Sequence, residues 1–141
     1  MKLVANSAEF ISGSSAKIPN VVKLAIEELD ELAQLGENWD SYGAYSPSKR
    51  SLVGACQLIN ELLDKDTPKP DIFPVPNGNV QIEWSCSGIE LEIEVISSTN
   101  CEVYYNNTDE VWEKTFSFDL EELRNVVAKL SDNESPLSLV V

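Results

Sequence analysis

The chain has 141 residues, of which 43% are hydrophobic and 24% are charged, a composition that suits one folded domain. Its 24 acidic residues outnumber its 10 basic ones, and the resulting net charge of −14 argues against direct binding to nucleic-acid phosphates or anionic membranes. No histidine is present, so the commonest general base and the commonest metal ligand are both missing.

The beginning of the chain and its cysteines indicate a cytoplasmic protein. Residues 1–18 lack the unbroken apolar run of a secretory signal, and their serine-rich composition predicts a flexible N-terminal arm. No window approaches about 18 consecutive apolar residues, so no membrane-spanning helix is expected. Cys56, Cys86 and Cys101 are odd in number and widely spaced, which favours small buried side chains in a reducing compartment over disulfides or zinc ligands.

Two helices are predicted in the first half of the chain. Helical spacing of apolar residues indicates a helix over 21–35, with Asn20 as the N-cap and Gly36 as the C-terminal stop. Ser46 and Pro47 favour the start of a second helix, because serine caps well and proline is tolerated at the first helical position. Together they predict two antiparallel helices joined by a loop.

Alternating apolar and acidic residues then predict a β-hairpin over 80–95. A tight turn across 85–88 places every apolar side chain on one face of this hairpin. The prolines and the glycine of segment 74–78 indicate an edge strand that enters a tight turn. The predicted pairs of the hairpin are Trp84 with Ile89, Ile82 with Leu91, and Val80 with Ile93.

Two further strands are predicted to extend this sheet. Pairing Val95 with Cys101 keeps apolar residues on one face, so we expect a connection of three or five residues, or a bulge. A fourth strand is predicted over 111–116, but its pattern does not decide which side chains face inward. The two alternatives are Trp112 with Phe116, and Val111 with Thr115.

The last predicted element is a helix that begins after Asp119. Asp119 serves as its cap, and Glu122 stands at the third helical position of a capping box. The order of elements predicts an α+β fold: a helical hairpin, a four-stranded antiparallel sheet, and a C-terminal helix packed on one sheet face. The domain is expected to span 19–131, followed by a C-terminal tail over 132–141.

The most specific local feature is an aromatic loop between the two predicted helices. It contains Trp39, Tyr42 and Tyr45, interleaved with Asp40. Aromatic rings and a carboxylate on a loop are suited to recognising a ligand or a protein partner. The structural alternative is that the rings cap the core while Asp40 accepts hydrogen bonds from N–H groups of the second helix.

Two motifs resemble a family of small uncharacterised bacterial proteins that are often met in cyanobacteria. The motifs are ENWDSYGA over 37–44, followed by Ser46-Pro47-Ser48, and PVPNGNVQIEW over 74–84. Family members carry GWDGYGA, a proline-rich connector and a strand that ends in Glu-Trp; this chain has Asn38 and Ser41 in place of the two glycines. The resemblance covers about residues 30–105 and implies a shared fold and a shared face, without an established activity.

A ladder of glutamates lies on one face of the predicted sheet. In the predicted register Glu83 faces Glu90, while the other acids of the ladder lie close by. Like charges directly opposite each other are destabilising, so the ladder needs an explanation. It is either a solvated face assisted by Lys114, a docking face for a basic partner, or a cation site. The remaining members of the ladder are Glu92, Glu94 and Glu102.

These observations favour a non-enzymatic, cytoplasmic protein-interaction module whose partner is another protein with a basic surface. The candidate binding surfaces are the aromatic loop and the acidic ladder, and no catalytic residue, cofactor or metal site is predicted. One alternative is an acidic protein that mimics nucleic acid or neutralises a basic partner, as an antitoxin does. The other is an enzyme that depends on a divalent cation held by glutamates.

Overall fold

The chain is described by a computed structural model, which covers residues 17–117 and 119–132. Within these residues it is an α+β fold whose antiparallel sheet has five strands, not the four that were predicted. The predicted N-terminal arm and C-terminal tail lie almost entirely outside the described residues. In chain order the elements are α1 (Asn20–Leu32), α2 (Lys49–Leu62), β1 (Asp71–Pro74), β2 (Val80–Cys86), β3 (Ile89–Val95), β4 (Cys101–Asn106), β5 (Val111–Phe116) and α3 (Leu120–Asp132).

Both ends of α1 differ from the prediction. Pro19, not Asn20, occupies the cap position, and no side chain caps the helix there. The helix ends at Leu32 rather than at residue 35. Beyond the helix the chain forms a tighter turn, in which the N–H of Leu35 donates to the carbonyl of Leu32, three residues back, at 3.1 Å. Gly36 therefore lies beyond the helix and does not terminate it.

The start of α2 lies two residues later than predicted. Ser48 is its cap and accepts a hydrogen bond from the N–H of Ser51 at 3.2 Å. The Ser46-Pro47 pair lies outside the helix because the residues on either side of it are hydrogen-bonded to the turn at 75–79. The N–H of Tyr45 donates to the carbonyl of Pro76 at 2.9 Å, and that of Ser48 donates to the carbonyl of Gly78 at 2.8 Å.

The strand that was not counted is β1, at the edge of the sheet beside β2. The prolines and glycine of 74–78 were correctly assigned to an edge strand and a turn, but β1 itself begins earlier, at Asp71. With only four residues, β1 shows no clear alternation. Its pairing depends on the turn at 75–79, where the N–H of Val75 donates to the carbonyl of Asn79 at 2.9 Å.

The hairpin of β2 and β3 keeps the predicted faces, but its register is shifted by two residues. Trp84 pairs with Leu91 instead of Ile89, and Ile82 pairs with Ile93. Ser87 and Gly88 form a two-residue turn with φ values of 52° and 77°, the geometry that two-residue hairpin turns require. Because side chains alternate with a period of two, a shift of two residues leaves every face assignment unchanged. The predicted register was therefore wrong and the predicted faces were right.

The connection between β3 and β4 confirms the prediction. Val95 pairs with Cys101, and five residues, 96–100, join the two strands. In β5 the structure selects Trp112 and Phe116 as the inward residues, and Val111 is 62% exposed. The ring of Trp112 stacks on that of Tyr105 with centroids 5.2 Å apart, which accounts for the choice.

The core lies between the three described helices and one face of the sheet, which we call the inner face. Helix α1 contacts β1 and α2, whereas α2 also contacts β2, β3 and α3. The predicted cap of α3 is confirmed, since Asp119 Oδ1 accepts from the N–H of Glu122 at 3.2 Å. Inner-face residues that are no more than 3% exposed include Val80, Ile82, Trp84, Leu91, Ile93, Val95, Val103 and Tyr105.

Helix α2 is joined closely to the sheet at two of its small residues. Ser51 is fully buried, and its hydroxyl donates to the carbonyl of Val95 at 2.6 Å while accepting from the N–H of Val80 at 2.8 Å. At Gly54 a Cβ atom would lie 2.3 Å from the carbonyl oxygen of Ser97, so no larger residue fits. This close approach fixes the helix over the ends of β2 and β3.

Candidate functional site

The opposite side of the sheet, which we call the outer face, carries side chains of a different kind. Register places fourteen strand residues on it, and seven of them are acidic. We call these seven carboxylates the acidic face. They are Asp71, Glu83, Glu90, Glu92, Glu94, Glu102 and Glu113. The five predicted glutamates all belong to it.

Two of these seven residues were missed from the sequence. Asp71 belongs to the uncounted strand β1 and pairs with Glu83. Glu113 lies on β5, whose inward side the sequence left open. Once Trp112 is placed inside, alternation alone turns Glu113 outward. One of the two alternatives left open for β5 therefore implied Glu113, whereas no pattern indicated Asp71.

The observed register changes which acids oppose each other. Glu83 faces Glu92, not Glu90 as predicted, and Glu94 faces Glu102. Glu90 lies opposite Ser85. Two pairs of directly opposed glutamates remain in the middle of the sheet. Such pairs are destabilising, because cross-strand side chains are about 4.5–5.5 Å apart at Cβ.

Neutral amide groups moderate this repulsion. Gln81 Nε2 donates to Glu83 Oε2 at 2.7 Å and to Glu92 Oε1 at 3.1 Å, bridging one opposed pair. Glu94 Oε2 accepts from Asn79 Nδ2 at 2.8 Å and from Asn77 Nδ2 at 3.2 Å. The amides hold the carboxylates in place but supply no positive charge.

No Lys or Arg is found among the outer-face strand residues that the structure describes. The prediction that Lys114 assists this face is wrong, because Lys114 pairs with Val103 on the inner side. Its ammonium bonds to Glu122 of α3 at 2.6 Å and lies 4.9 Å from the ring centroid of Phe116. Other described cations also bond to acids away from this face, as in the pairs Lys69–Glu28, Arg124–Glu61 and Lys129–Glu110.

Glu92 is the carboxylate that its surroundings affect most clearly. Partial burial raises its pKa above the ordinary value of 4.5, and the charges of Glu83, Glu90 and Glu113 raise it further, while the hydrogen bond from Gln81 lowers it. An open depression of about 380 Å³ lies beside it. The residues that line it are Gln81, Glu92, Glu94, Glu102, Val103, Tyr104, Glu113, Lys114 and Thr115, of which Val103 and Lys114 occupy inner-face positions of their strands.

The aromatic loop, residues 37–45, is held by its own polar groups. Asp40 Oδ1 accepts from the N–H groups of Tyr42 at 2.8 Å and Ala44 at 3.1 Å. The expectation that Asp40 accepts hydrogen bonds from the second helix is therefore not met. Asn38 and Ser41 have φ values of 62° and 68°, a left-handed conformation that glycine adopts most readily.

The three aromatic side chains of the loop differ in role. Trp39 is half-buried, and its Nε1 donates to the carbonyl of Tyr45 at 2.9 Å, which closes the loop. Tyr42 is 92% exposed and Tyr45 is 64% exposed. Trp39 therefore holds the loop itself together, whereas the two tyrosine side chains are exposed to solvent.

The remaining chemical groups of interest are metal ligands and the thiol of Cys101. Among residues 17–117 and 119–132, no group of three acidic or cysteine side chains is placed to hold a metal ion. Burial raises the pKa of the Cys101 thiol to about 12, so this thiol remains protonated and unreactive at neutral pH. No disulfide joins the three cysteines.

Comparisons with known proteins add no assignment. The chain matches no protein-family model, no curated protein and no solved structure. None of the helices in the described part of the chain is both long and apolar enough to cross a bilayer.

Proposed function

We propose that this chain is a non-enzymatic interaction module that binds a basic surface of a partner protein through its acidic face. The observation that carries the proposal is the presence of two pairs of directly opposed glutamates, Glu83–Glu92 and Glu94–Glu102, on a face without a basic side chain among its described strand residues. A partner that brings lysines or arginines to these pairs relieves a repulsion that the isolated chain bears.

The shape of the face supports a macromolecular partner rather than a small substrate. Its acids spread over all five strands, from Asp71 on β1 to Glu113 on β5. The depression beside Glu92 is open rather than enclosed, and catalytic acids generally need an apolar enclosure. Concentrated charge of one sign also speeds encounter with an oppositely charged protein.

The proposed site of action is the cytoplasm, a reducing compartment in which the three cysteines would remain thiols. A nucleic-acid-binding protein or a basic toxin is one kind of partner with the required charge. The proposal does not depend on which of them it is, because both present clustered cations.

The test compares proteins captured from an extract of the host by three immobilised baits. One bait is the wild-type chain, and the two others each replace three glutamates by glutamine, so that their net charges match. The substitutions of the face variant are Glu83→Gln, Glu92→Gln and Glu102→Gln. Those of the control variant, on exposed helix positions, are Glu27→Gln, Glu31→Gln and Glu121→Gln.

We expect a basic protein on the wild-type and control baits that is absent from the face variant. It should be released at about 0.5 M NaCl, where the Debye length is only a few ångströms. If all three baits retain the same proteins, or retention is insensitive to salt, the proposed function is wrong.

A further inference from the structure

The exposed aromatic side chains of the described residues lie on two segments that are hydrogen-bonded to each other. Three large aromatic side chains are exposed there: Tyr42 at 92%, Tyr45 at 64% and Phe73 at 44%. We call this group the aromatic corner. Phe73 belongs to β1, and the two tyrosines belong to a loop more than 25 residues earlier in the chain. No local pattern brings them together.

The contact that joins them is the bonding of the aromatic loop to the turn at 75–79. The N–H of Tyr45 donates to the carbonyl of Pro76 at 2.9 Å. A Cβ atom built on Gly78 would lie 3.7 Å from the Cβ of Tyr45, which shows how closely the two segments approach. Phe73 lies two residues before Val75, where the turn begins. The corner is therefore built from both segments.

The aromatic corner is continuous with the acidic face. Phe73 lies in register with Gln81, which pairs with Glu94, which in turn pairs with Glu102. With strands about 4.8 Å apart, Glu94 lies about 10 Å from Phe73 across the sheet. The same turn supplies Asn77 and Asn79, whose amides bond to the Glu94 carboxylate. Two exposed basic residues, Lys49 and Arg50, follow the aromatic loop at the start of α2.

The rings are presented on a backbone that is already ordered. Asn38 Oδ1 accepts from the N–H of Gly43 at 2.7 Å, and the N–H of Asn38 donates to the carbonyl of Ala44 at 2.7 Å. Ala44 is buried, which anchors the loop between the two tyrosines. An ordered loop that exposes tyrosine rings loses little conformational entropy on binding, as in antibody paratopes.

We propose that the aromatic corner binds arginine side chains of the basic partner, whose chain continues from there onto the row of Glu94 and Glu102. A guanidinium group stacks on an exposed aromatic face by cation–π attraction while its neighbours reach the carboxylates. This inference rests on the proposed function, which assigns the acidic face to a basic partner. It adds that the partner presents arginine and that the bound segment of the partner ends at the aromatic corner.

The experiment measures binding of a fluorescein-labelled nona-arginine peptide by fluorescence anisotropy, in about 50 mM NaCl and in about 0.5 M NaCl. One variant carries Tyr42→Leu and Tyr45→Leu, which keeps apolar bulk but removes both rings. Its matched control carries Tyr42→Phe and Tyr45→Phe, which keeps the rings and removes only the hydroxyls. The variant with glutamine at Glu83, Glu92 and Glu102 reports on the acidic face separately. Thermal unfolding checks that each variant is folded.

At low salt we expect the leucine variant to bind nona-arginine about fivefold more weakly than wild type, while the phenylalanine variant binds as wild type does. The same leucine substitutions should weaken the binding of a nona-lysine peptide less, because a guanidinium group stacks on aromatic rings better than an ammonium group does. If the leucine variant binds like wild type while the glutamine variant loses binding, the inference is wrong and the proposed function stands. If wild type fails to bind either peptide, the proposed function is overturned, and this inference with it.

Discussion

The inner and outer faces of the sheet are made by alternate residues of the same five strands, yet they differ in polarity and in burial. The inner face is apolar and covered by helices, and residues such as Ile93 are fully buried there. On the outer face the neighbouring Glu92 and Glu94 oppose other glutamates directly. Burial of the inner face supplies the stability of the fold, whereas the outer face retains a repulsion that lowers it. The basic partner that we propose would relieve this repulsion.

The largest expected effect tests whether stability resides on the inner face. Replacing the fully buried Ile93 by alanine should lower the free energy of unfolding by about 2–5 kcal/mol, because it removes buried methyl groups and leaves a cavity. The control is Glu90→Ala on the same strand, an exposed outer-face position expected to change stability by less than about 0.5 kcal/mol. Urea denaturation measures both. Similar losses from the two variants would contradict the division between faces.

A smaller effect is expected where α2 is bonded to the inner side of the sheet. Ser51→Ala removes the hydroxyl that bonds both the carbonyl of Val95 and the N–H of Val80. Two buried backbone groups then lack a partner, so the free energy of unfolding should fall by about 1–3 kcal/mol. Ser85→Ala, at an exposed outer-face position, is the matched control. Equal stability of Ser51→Ala and wild type would show that the bridge is unimportant.

The smallest effect concerns the outer face and depends on pH. The pKa of Glu92 is raised in the folded chain, so between the ordinary value of 4.5 and the raised value the folded chain holds a proton that the unfolded chain has released. Stability from this group is therefore present below pH 4.5 and is lost as the pH rises through the folded pKa.

Glu92→Gln removes this loss, since its amide keeps an oxygen for the bond from Gln81. At pH 7 the melting temperature of the variant should exceed that of wild type, and the difference should disappear below pH 4.5. Glu27→Gln, on exposed helix surface, controls for the change in net charge. An equal increase at all pH values would rule out titration of Glu92 as the cause.

Much of the fold was accessible from local patterns. The alternation along 80–95 correctly placed Trp84 inside and the glutamates outside. The cap of α3 at Asp119 and the pairing of Val95 with Cys101 also followed from residue type and spacing. These features depend on residues close together in the chain or on the period of a strand, so the sequence carries them directly.

Features that depend on distant partners could not be obtained in this way. The register of the β2–β3 hairpin shifts by two residues without moving any side chain to the other face, so alternation cannot choose between the two registers. The start of α2 was misplaced because Tyr45 and Ser48 bond to a turn some 30 residues later. Lys114 faces inward because β5 turns Trp112 to the inner face, where it stacks on Tyr105 of another strand.

The sequence alone determined that this chain carries a strong negative charge and that its central hairpin separates apolar from acidic side chains, because composition and a period of two are local properties. Only the tertiary structure decided which glutamates oppose each other, that β1 adds Asp71 to them, and that the aromatic loop meets the turn at 75–79. These outcomes depend on hydrogen bonds and packing between distant segments, whose competing arrangements satisfy the same local pattern equally well.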